Sequence, residues 1–318
     1  RGAERLGRPY ADFALGVRKQ ASLPEGAVSL GLAGTAPAVL LERDGRVAVA
    51  LPGPPGELRR LWPAALESEP VRRVLARAWR REHRVVRFFG PSESAVARAL
   101  LEAGGERPGL DVTVCARALE IEVDLFAAQD RGADADALVQ ELGRRFGDQL
   151  FAADDERPVA EIVLDLCREQ SLGLATAESC TGGLVGAWIT AVPGSSDVYV
   201  GGLIAYADAV KARDLGVPAD VLERHGAVSA ATARAMAVGA RTSFDADVTV
   251  SVTGIAGPGG GTAEKPVGLV FAHAAGPTGE LPLRMELPGG REDVRERATI
   301  AALHLVRRLL TQSDDTRA

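Results

Sequence analysis

From residue 172 to residue 191 the chain runs from one short apolar stretch, LGLATA, through Glu-Ser-Cys-Thr-Gly-Gly into a second, LVGAWITA. Six apolar or small residues suit a buried strand, and the second stretch reads as a helix. Only six residues lie between them, two of them Gly, so strand end and helix start must meet in a tight turn. A strand that turns directly into a helix belongs to a layered α/β architecture. The neighbouring segments repeat the alternation. An amphipathic helix is expected over 159–170, a strand over 172–177, a helix over 181–191 and a strand over 198–207. A short helix over 207–215 and a helix over 229–243, capped by Ser229, come next. Strands over 248–253 and 267–274 flank a Gly-rich loop, and a long helix over 291–310 closes the chain. Residues 153–318 therefore read as one α/β domain.

The front half divides in two. Residues 71–152 give strands at 84–89, 112–116 and 119–126 and helices at 92–103 and 134–146, a small α+β unit. The stretch FAADDERP (151–158) interrupts that pattern with charge and a Pro, which places a boundary near 152. Residues 1–70 hold two strand-like runs, VSLGLAG and RVAVALPGPP, and the helix-like GELRRLWPAAL. They make a poor domain alone and are read as the end of one, in a chain that starts at Arg1.

Composition narrows the function. The chain has 318 residues, a net charge of −6 and three Cys. Mild acidity argues against a general nucleic-acid binder. An odd, small number of Cys in a long chain gives no disulfide framework and suits a reducing cytoplasm. The charge-free stretch 179–196 contains Gly, Pro and hydroxyl residues, so no membrane span is expected. The run RRVLARAWRREHRVVR carries seven Arg around Trp79 and is read as a solvated helix face. No Cys/His spacing suggests a metal. Of 37 Lys and Arg only three are Lys, at 19, 211 and 265, and these three need an explanation that Arg does not supply.

The ESCTGG turn is the sharpest chemical candidate. A helix start presents unpaired N–H groups and a partial positive charge, which suit an oxyanion beside a nucleophile. Thr181, Gly182 and Gly183 would supply those groups; the plainer reading is a hydroxyl cap with Gly for close packing. Ser179 and Cys180 both qualify as nucleophile. A Cys wants a His, and none of His83, His225, His273 and His304 stands in a pairing motif. A Ser wants a base, and a buried Lys can lose its proton where Arg cannot. Lys211, five residues after Tyr206, is the candidate; the two converge only if Tyr206 precedes the helix. A Tyr hydroxyl between Ser and Lys would relay a proton. The plainer reading is a core-edge Tyr and a solvated Lys. The loop VTGIAGPGGGTAEKPVG fits neither the phosphate-loop nor the dinucleotide pattern, and reads as backbone under a ligand. Thr253 and Gly254 stand at its start. Arg291 and Arg295 open the last helix beside Gly residues, a setting that suits a phosphate.

Together, ATAESCTGGLVGAWIT, Tyr206 to Lys211, HGAVSAATARAMA, VTVSVTGIAGPGGGTAEKPVG and PGGREDVRERAT resemble the C-terminal amidohydrolase domain of the competence/damage-inducible protein A family, over nearly all of 155–310. The resemblance implies deamidation of nicotinamide mononucleotide to nicotinic acid mononucleotide and ammonia, in pyridine nucleotide salvage. It implies Ser179 as nucleophile, Tyr206 and Lys211 as its activating partners, and Thr253 and Arg291 in the substrate site. It also implies a small-molecule nucleotide as ligand, no metal or organic cofactor for this domain, and a homodimer in the cytoplasm. Here PGGR stands where the family more often has PGDR. The segments RKQASLPEGAVSLGLAGTAPAVL and VALPGPPGEL resemble the end of the family's molybdopterin-binding-like domain, tied to ADP-ribose pyrophosphatase activity, with Ala38 where Gly is usual. The Gly/Asp-rich part of that domain is not in this sequence. ADP-ribose hydrolysis with a divalent metal is thus the alternative that needs a further segment, and a non-catalytic partner protein in competence or DNA damage is the other.

Overall fold

The computed structural model describes residues 9, 11, 14–34, 36–78 and 81–312; Trp79 of the Arg-rich run lies outside them. It divides into two compact units, Arg1–Arg80 and Arg81–Ala318. The division falls after residue 80, where the sequence reading put a boundary at 70.

The first unit holds helix α1 (Ala14–Ala21) and a three-stranded antiparallel sheet of β1 (Ala27–Leu32), β2 (Pro37–Arg43) and β3 (Arg46–Ala50). Helix α2 (Pro55–Glu67) packs against β1 and β2, and α3 (Glu69–Ala76) against β3. Leu61 and Ala65 bury the inner face of α2, while β1 leaves Val28 and Leu32 exposed.

In the second unit, β4 (Arg81–Phe89), α4 (Glu93–Glu102), β5 (Leu110–Arg117), β6 (Glu120–Ala128), α5 (Gly132–Phe146) and β7 (Leu150–Ala153) form the small α+β part. Its sheet runs β5-β6-β4-β7, antiparallel throughout. Strand β7 occupies the first residues of the stretch expected to be a break; its charges begin only after the strand. Ser92 caps α4 by accepting from the Ala95 amide.

The rest is a five-stranded sheet of order β12-β11-β10-β8-β9, in which β8 is Leu174–Glu178 and β9 is Tyr199–Ile204, with helices on both faces. Helices α6 (Val159–Gln170), α7 (Leu184–Thr190) and α11 (Arg291–Thr311) cover one face; α8 (Asp208–Leu215), α9 (Ala219–His225) and α10 (Ala230–Phe244) lie on the other. Strand β10 (Val248–Gly254) shows why. Val248, Val250 and Val252 enter the core with α6 and α11. Thr249 and Ser251 face the other way and donate to the Ala237 and Ala233 carbonyls of α10. The period-2 pattern of the strand thus sets one apolar and one hydroxyl face. Strand β11 (Leu269–Gly276) pairs antiparallel with β10, and β12 (Gly279–Glu286) with β11. Helix α9 and strand β12 were not read from the sequence.

The two parts of this unit are joined through the start of β6 and the middle of α11. His304 is fully buried, and its ring stacks on Phe89 at 4.0 Å between centroids. Its Nδ1 accepts from Arg307 Nε at 3.3 Å, so Nε2 carries the proton and donates to Glu120 Oε1 at 2.7 Å. Burial pushes the imidazole down to about 4, against the opposing pull of Glu120. Burial also penalises the Glu120 carboxylate, but His304 and Arg87 outweigh it and hold the group below its ordinary value.

Candidate active site

Strand β8 (Leu174–Glu178) lies between β10 and β9 (Tyr199–Ile204), and all three are parallel. The chain leaves β8 through α7 on one face and leaves β9 through α8 on the other. Such a reversal opens a crevice beyond the carboxyl ends of the strands, where open α/β sheets bind their ligands. A cleft of about 270 Å³ lies there, lined by Ser179, Cys180, Tyr206, Asp208, Lys211, Thr253, Gly254 and Arg291, with Gly257, Gly259 and Gly260 of the Gly-rich loop.

Alternation along β8 aims the side chains. Glu178 turns toward α7, and Ser179, next in the chain, turns to the opposite face, where α8 carries Lys211. The Ser179 amide continues the ladder by donating to Val252 O at 2.9 Å. Helix α8 begins at Asp208, so Tyr206 precedes it, as convergence requires. Lys211 is 1% exposed, and its Nζ donates to Tyr206 O and Asp208 Oδ1, each at 3.2 Å. Tyr206 therefore meets Lys211 through its carbonyl. Its hydroxyl is the partner of Arg291 Nη2 at 3.1 Å instead of standing between Ser and Lys. Arg291 Nη1 donates to Gly257 O at 2.8 Å, which ties the helix start to the Gly-rich loop. With Gly at 290, the helix start is held by Asp293 Oδ2, which accepts from the Gly290 amide at 2.8 Å.

The expected oxyanion donors need correction. Thr181, Gly182 and Gly183 do not line the cleft, and α7 begins only at Leu184. Gly182 N donates to Ser179 O, and Gly183 N donates to Glu178 Oε2 at 2.9 Å. Glu178 also accepts from Val185 at 3.1 Å and Gly186 at 2.9 Å. Three amides at the helix start, those of Gly183, Val185 and Gly186, are thus engaged by a carboxylate of the protein itself. Gly182 and Gly183 still serve the turn, with φ of 62° and 95°, a region that side chains resist. Among the described residues the amides of Cys180 and Thr181 donate to no oxygen; both face the Cys180 thiol. Thr253 lines the cleft, but its hydroxyl proton goes to Ala227 O at 2.7 Å, leaving it an acceptor. Arg295, grouped with Arg291 from sequence, donates to Thr181 O at 2.9 Å and braces the turn.

Cys180 borders the cleft, yet burial pushes its thiol up to about 12, so it stays protonated. Asp208 and Glu178 escaped the sequence reading. The i, i+3 spacing of Asp208 and Lys211 on one helix was a usable signal for the first; strand alternation through Glu178 was one for the second.

The model of the CinA C-terminal domain matches residues 156–310. A CinA-like protein of Mycolicibacterium paratuberculosis is 45% identical over 305 residues, 93% of this chain and 69% of the relative. A CinA-like protein of Mycobacterium leprae is 41% identical over 304 residues, 93% of this chain and 70% of that protein. The crystal structure of competence/damage inducible protein CihA from Agrobacterium tumefaciens is 40% identical in sequence, with a TM-score of 0.47, and covers 48% of this chain and 93% of its own. On the extent and identity of the two CinA-like relatives, the chain belongs to the CinA family.

Proposed function

We propose that the C-terminal part of this chain is a serine amidohydrolase that deamidates nicotinamide mononucleotide. The observation that carries the reading is the switch-point cleft, which holds a Ser at a strand end, a buried Lys and an Arg at a helix start. Ser179 attacks the carboxamide carbon while the Lys211 amine, in its uncharged form, takes the hydroxyl proton. The amide of Cys180 receives the developing oxyanion, and losing such a donor costs about 10²–10³ in rate. The proton passes from Lys211 to the departing nitrogen, the C–N bond breaks and ammonia leaves. Water, its proton taken by the same amine, then cleaves the acyl-serine to give nicotinic acid mononucleotide and free Ser179. Arg291 meets the 5′-phosphate, with Gly259 and Gly260 bordering ring and ribose. No step requires a metal.

The test is ammonia release from nicotinamide mononucleotide by the purified chain, with Ser179→Ala beside it. The reading expects release by the parent and loss in the variant. No release by the parent, or undiminished release by Ser179→Ala, sinks it; in the second case Cys180 inherits the role.

A further inference from the structure

Glu178 is 2% exposed, and no Arg, Lys or His pairs with it among the described residues. Taking a carboxylate out of water costs several kcal/mol unless strong partners replace the solvent. Its partners are three backbone N–H groups, of Gly183, Val185 and Gly186, at 2.9, 3.1 and 2.9 Å. They come from the start of α7, whose first N–H groups have no partner within the helix. An ordinary helix cap is local and uses one Ser, Thr, Asp or Asn oxygen, worth about 1 kcal/mol. Here the cap reaches in from the preceding strand, and its immediate neighbour is Ser179.

Adjacent residues at a strand end face opposite ways, so fixing one side chain fixes the other. Glu178 is clamped on the α7 side by its three amides, while Ser179 lines the cleft that Lys211 also lines. Two further ties hold the turn: Ser179 N to Val252 O, and Arg295 Nη2 to Thr181 O. The space behind Glu178 is fitted to it. A Cβ on Gly186 would lie 2.7 Å from the Tyr199 hydroxyl and 3.6 Å from Glu178 Oε1.

We propose that Glu178 is a positioning residue for the nucleophile: it locks the Ser179 turn and engages the amides of Gly183, Val185 and Gly186, leaving that of Cys180 to meet the reacting carbonyl. The proposal rests on the reading of Ser179 as nucleophile.

Glu178→Gln keeps the shape, removes the charge and turns an N–H₂ toward at least one amide donor. The experiment measures kcat and KM for ammonia release, thermal melting, and the rate at which a fluorophosphonate labels Ser179, followed by intact mass. Displacing a reacting group by about an ångström costs on the order of 10² in rate. The expected result is a folded Gln variant with KM within about threefold of the parent, and with kcat and Ser179 labelling both down by about 10²-fold. Glu178→Asp, which keeps the charge one methylene short, should fall between. A folded Gln variant with unchanged kcat and labelling, or a loss confined to KM, overturns the proposal. If the Gln variant does not fold, the Asp variant decides by the same labelling rate; if neither folds, Glu178 is a folding requirement and the assignment is overturned. A parent that releases no ammonia but labels at Ser179, with the Gln variant labelling slowly, fails the substrate reading and keeps this one. A parent whose Ser179 does not label overturns this one.

Discussion

Replacing Lys211 by Met separates the chemistry of the cleft from its packing. Met fills a similar volume, and the Lys211 side chain is 1% exposed, so the space stays occupied. What is lost is the amine and its two bonds, to Tyr206 O and Asp208 Oδ1. A bond from a charged donor to a carbonyl contributes about 1.5–3 kcal/mol. The Asp208 partner is 59% exposed, so that pair adds at most about 1 kcal/mol. Removing a buried ammonium returns several kcal/mol of desolvation. The stability terms oppose one another, and the melting temperature should move little. The rate has no such offset. A general base contributes about 10²–10⁴, or about 2.7–5.5 kcal/mol of barrier. Lys211→Arg should lose the same factor, since the guanidinium keeps the charge and gives up no proton. Initial rates of ammonia release at saturating nicotinamide mononucleotide, beside thermal melts, measure both. Either variant, folded and within about tenfold of the parent rate, would refute the base assignment.

Three further outcomes follow from the geometry. Iodoacetamide at pH 8 should alkylate exposed Cys115 in the native chain and spare Cys167 and Cys180, whose thiols burial pushes up to about 12; comparable modification of Cys180 by mass spectrometry would contradict its burial. His304, held at about 4 against an ordinary value of 6.5, is protonated more readily in the unfolded chain, so stability should fall as pH drops through that window, by about 2 kcal/mol at pH 5. The lowered Glu120 adds a loss in the same direction at more acid pH, and urea midpoints of the parent and His304→Phe that run parallel from pH 7 to 5 would refute the assignment. Gly239→Ala would set a Cβ 1.8 Å from Leu215 O, where α10 meets the end of α8, and should cost about 3 kcal/mol in denaturant unfolding; a neutral result would show that the two helices separate freely.

Period and turn chemistry made most of the second unit legible. Helix α6 falls over 159–170 as read, and Ser92 and Ser229 cap their helices by accepting from Ala95 and Thr232. The misses have local causes. Helix α9 is seven residues between Pro218 and Gly226, too short for a 3.6-residue period to show. Strand β12 exposes alternate residues at the sheet edge, and its Pro and Arg weaken the strand signal. For the site, the residue types were readable and the bonds were not. Ser179, Tyr206, Lys211, Thr253, Gly254 and Arg291 do line one cleft. The sequence could not show that the Tyr206 hydroxyl turns to Arg291, or that a carboxylate from β8 occupies the α7 amides, because both depend on which face each element presents.

Lysine scarcity acquires a physical sense in the second unit. Both Lys described there donate to a backbone carbonyl: Lys211 to Tyr206 O, with Asp208 Oδ1 as a second acceptor, and Lys265 to His225 O at 2.7 Å. His225 ends α9, so Lys265 satisfies an orphan carbonyl and ties the Gly-rich loop to that helix end. The fit is close, since a Cβ on Gly226 would come within 3.2 Å of Lys265 Nζ. The compact head of a Lys reaches a carbonyl in a narrow space, whereas a planar guanidinium needs a wider one. The tie matters because the same loop carries Gly257, whose carbonyl holds Arg291, and Gly259 and Gly260 of the cleft. Lys265→Ala should therefore loosen the loop without touching Ser179 or Lys211. For a solvent-facing bond worth about 1 kcal/mol, the ordered loop becomes about fivefold less populated. KM for nicotinamide mononucleotide should rise by up to about that factor with kcat little changed, and amide exchange over 255–267 should quicken. A fall in kcat at constant KM, with exchange unaltered, would show that Lys265 acts on the chemistry and not through the loop.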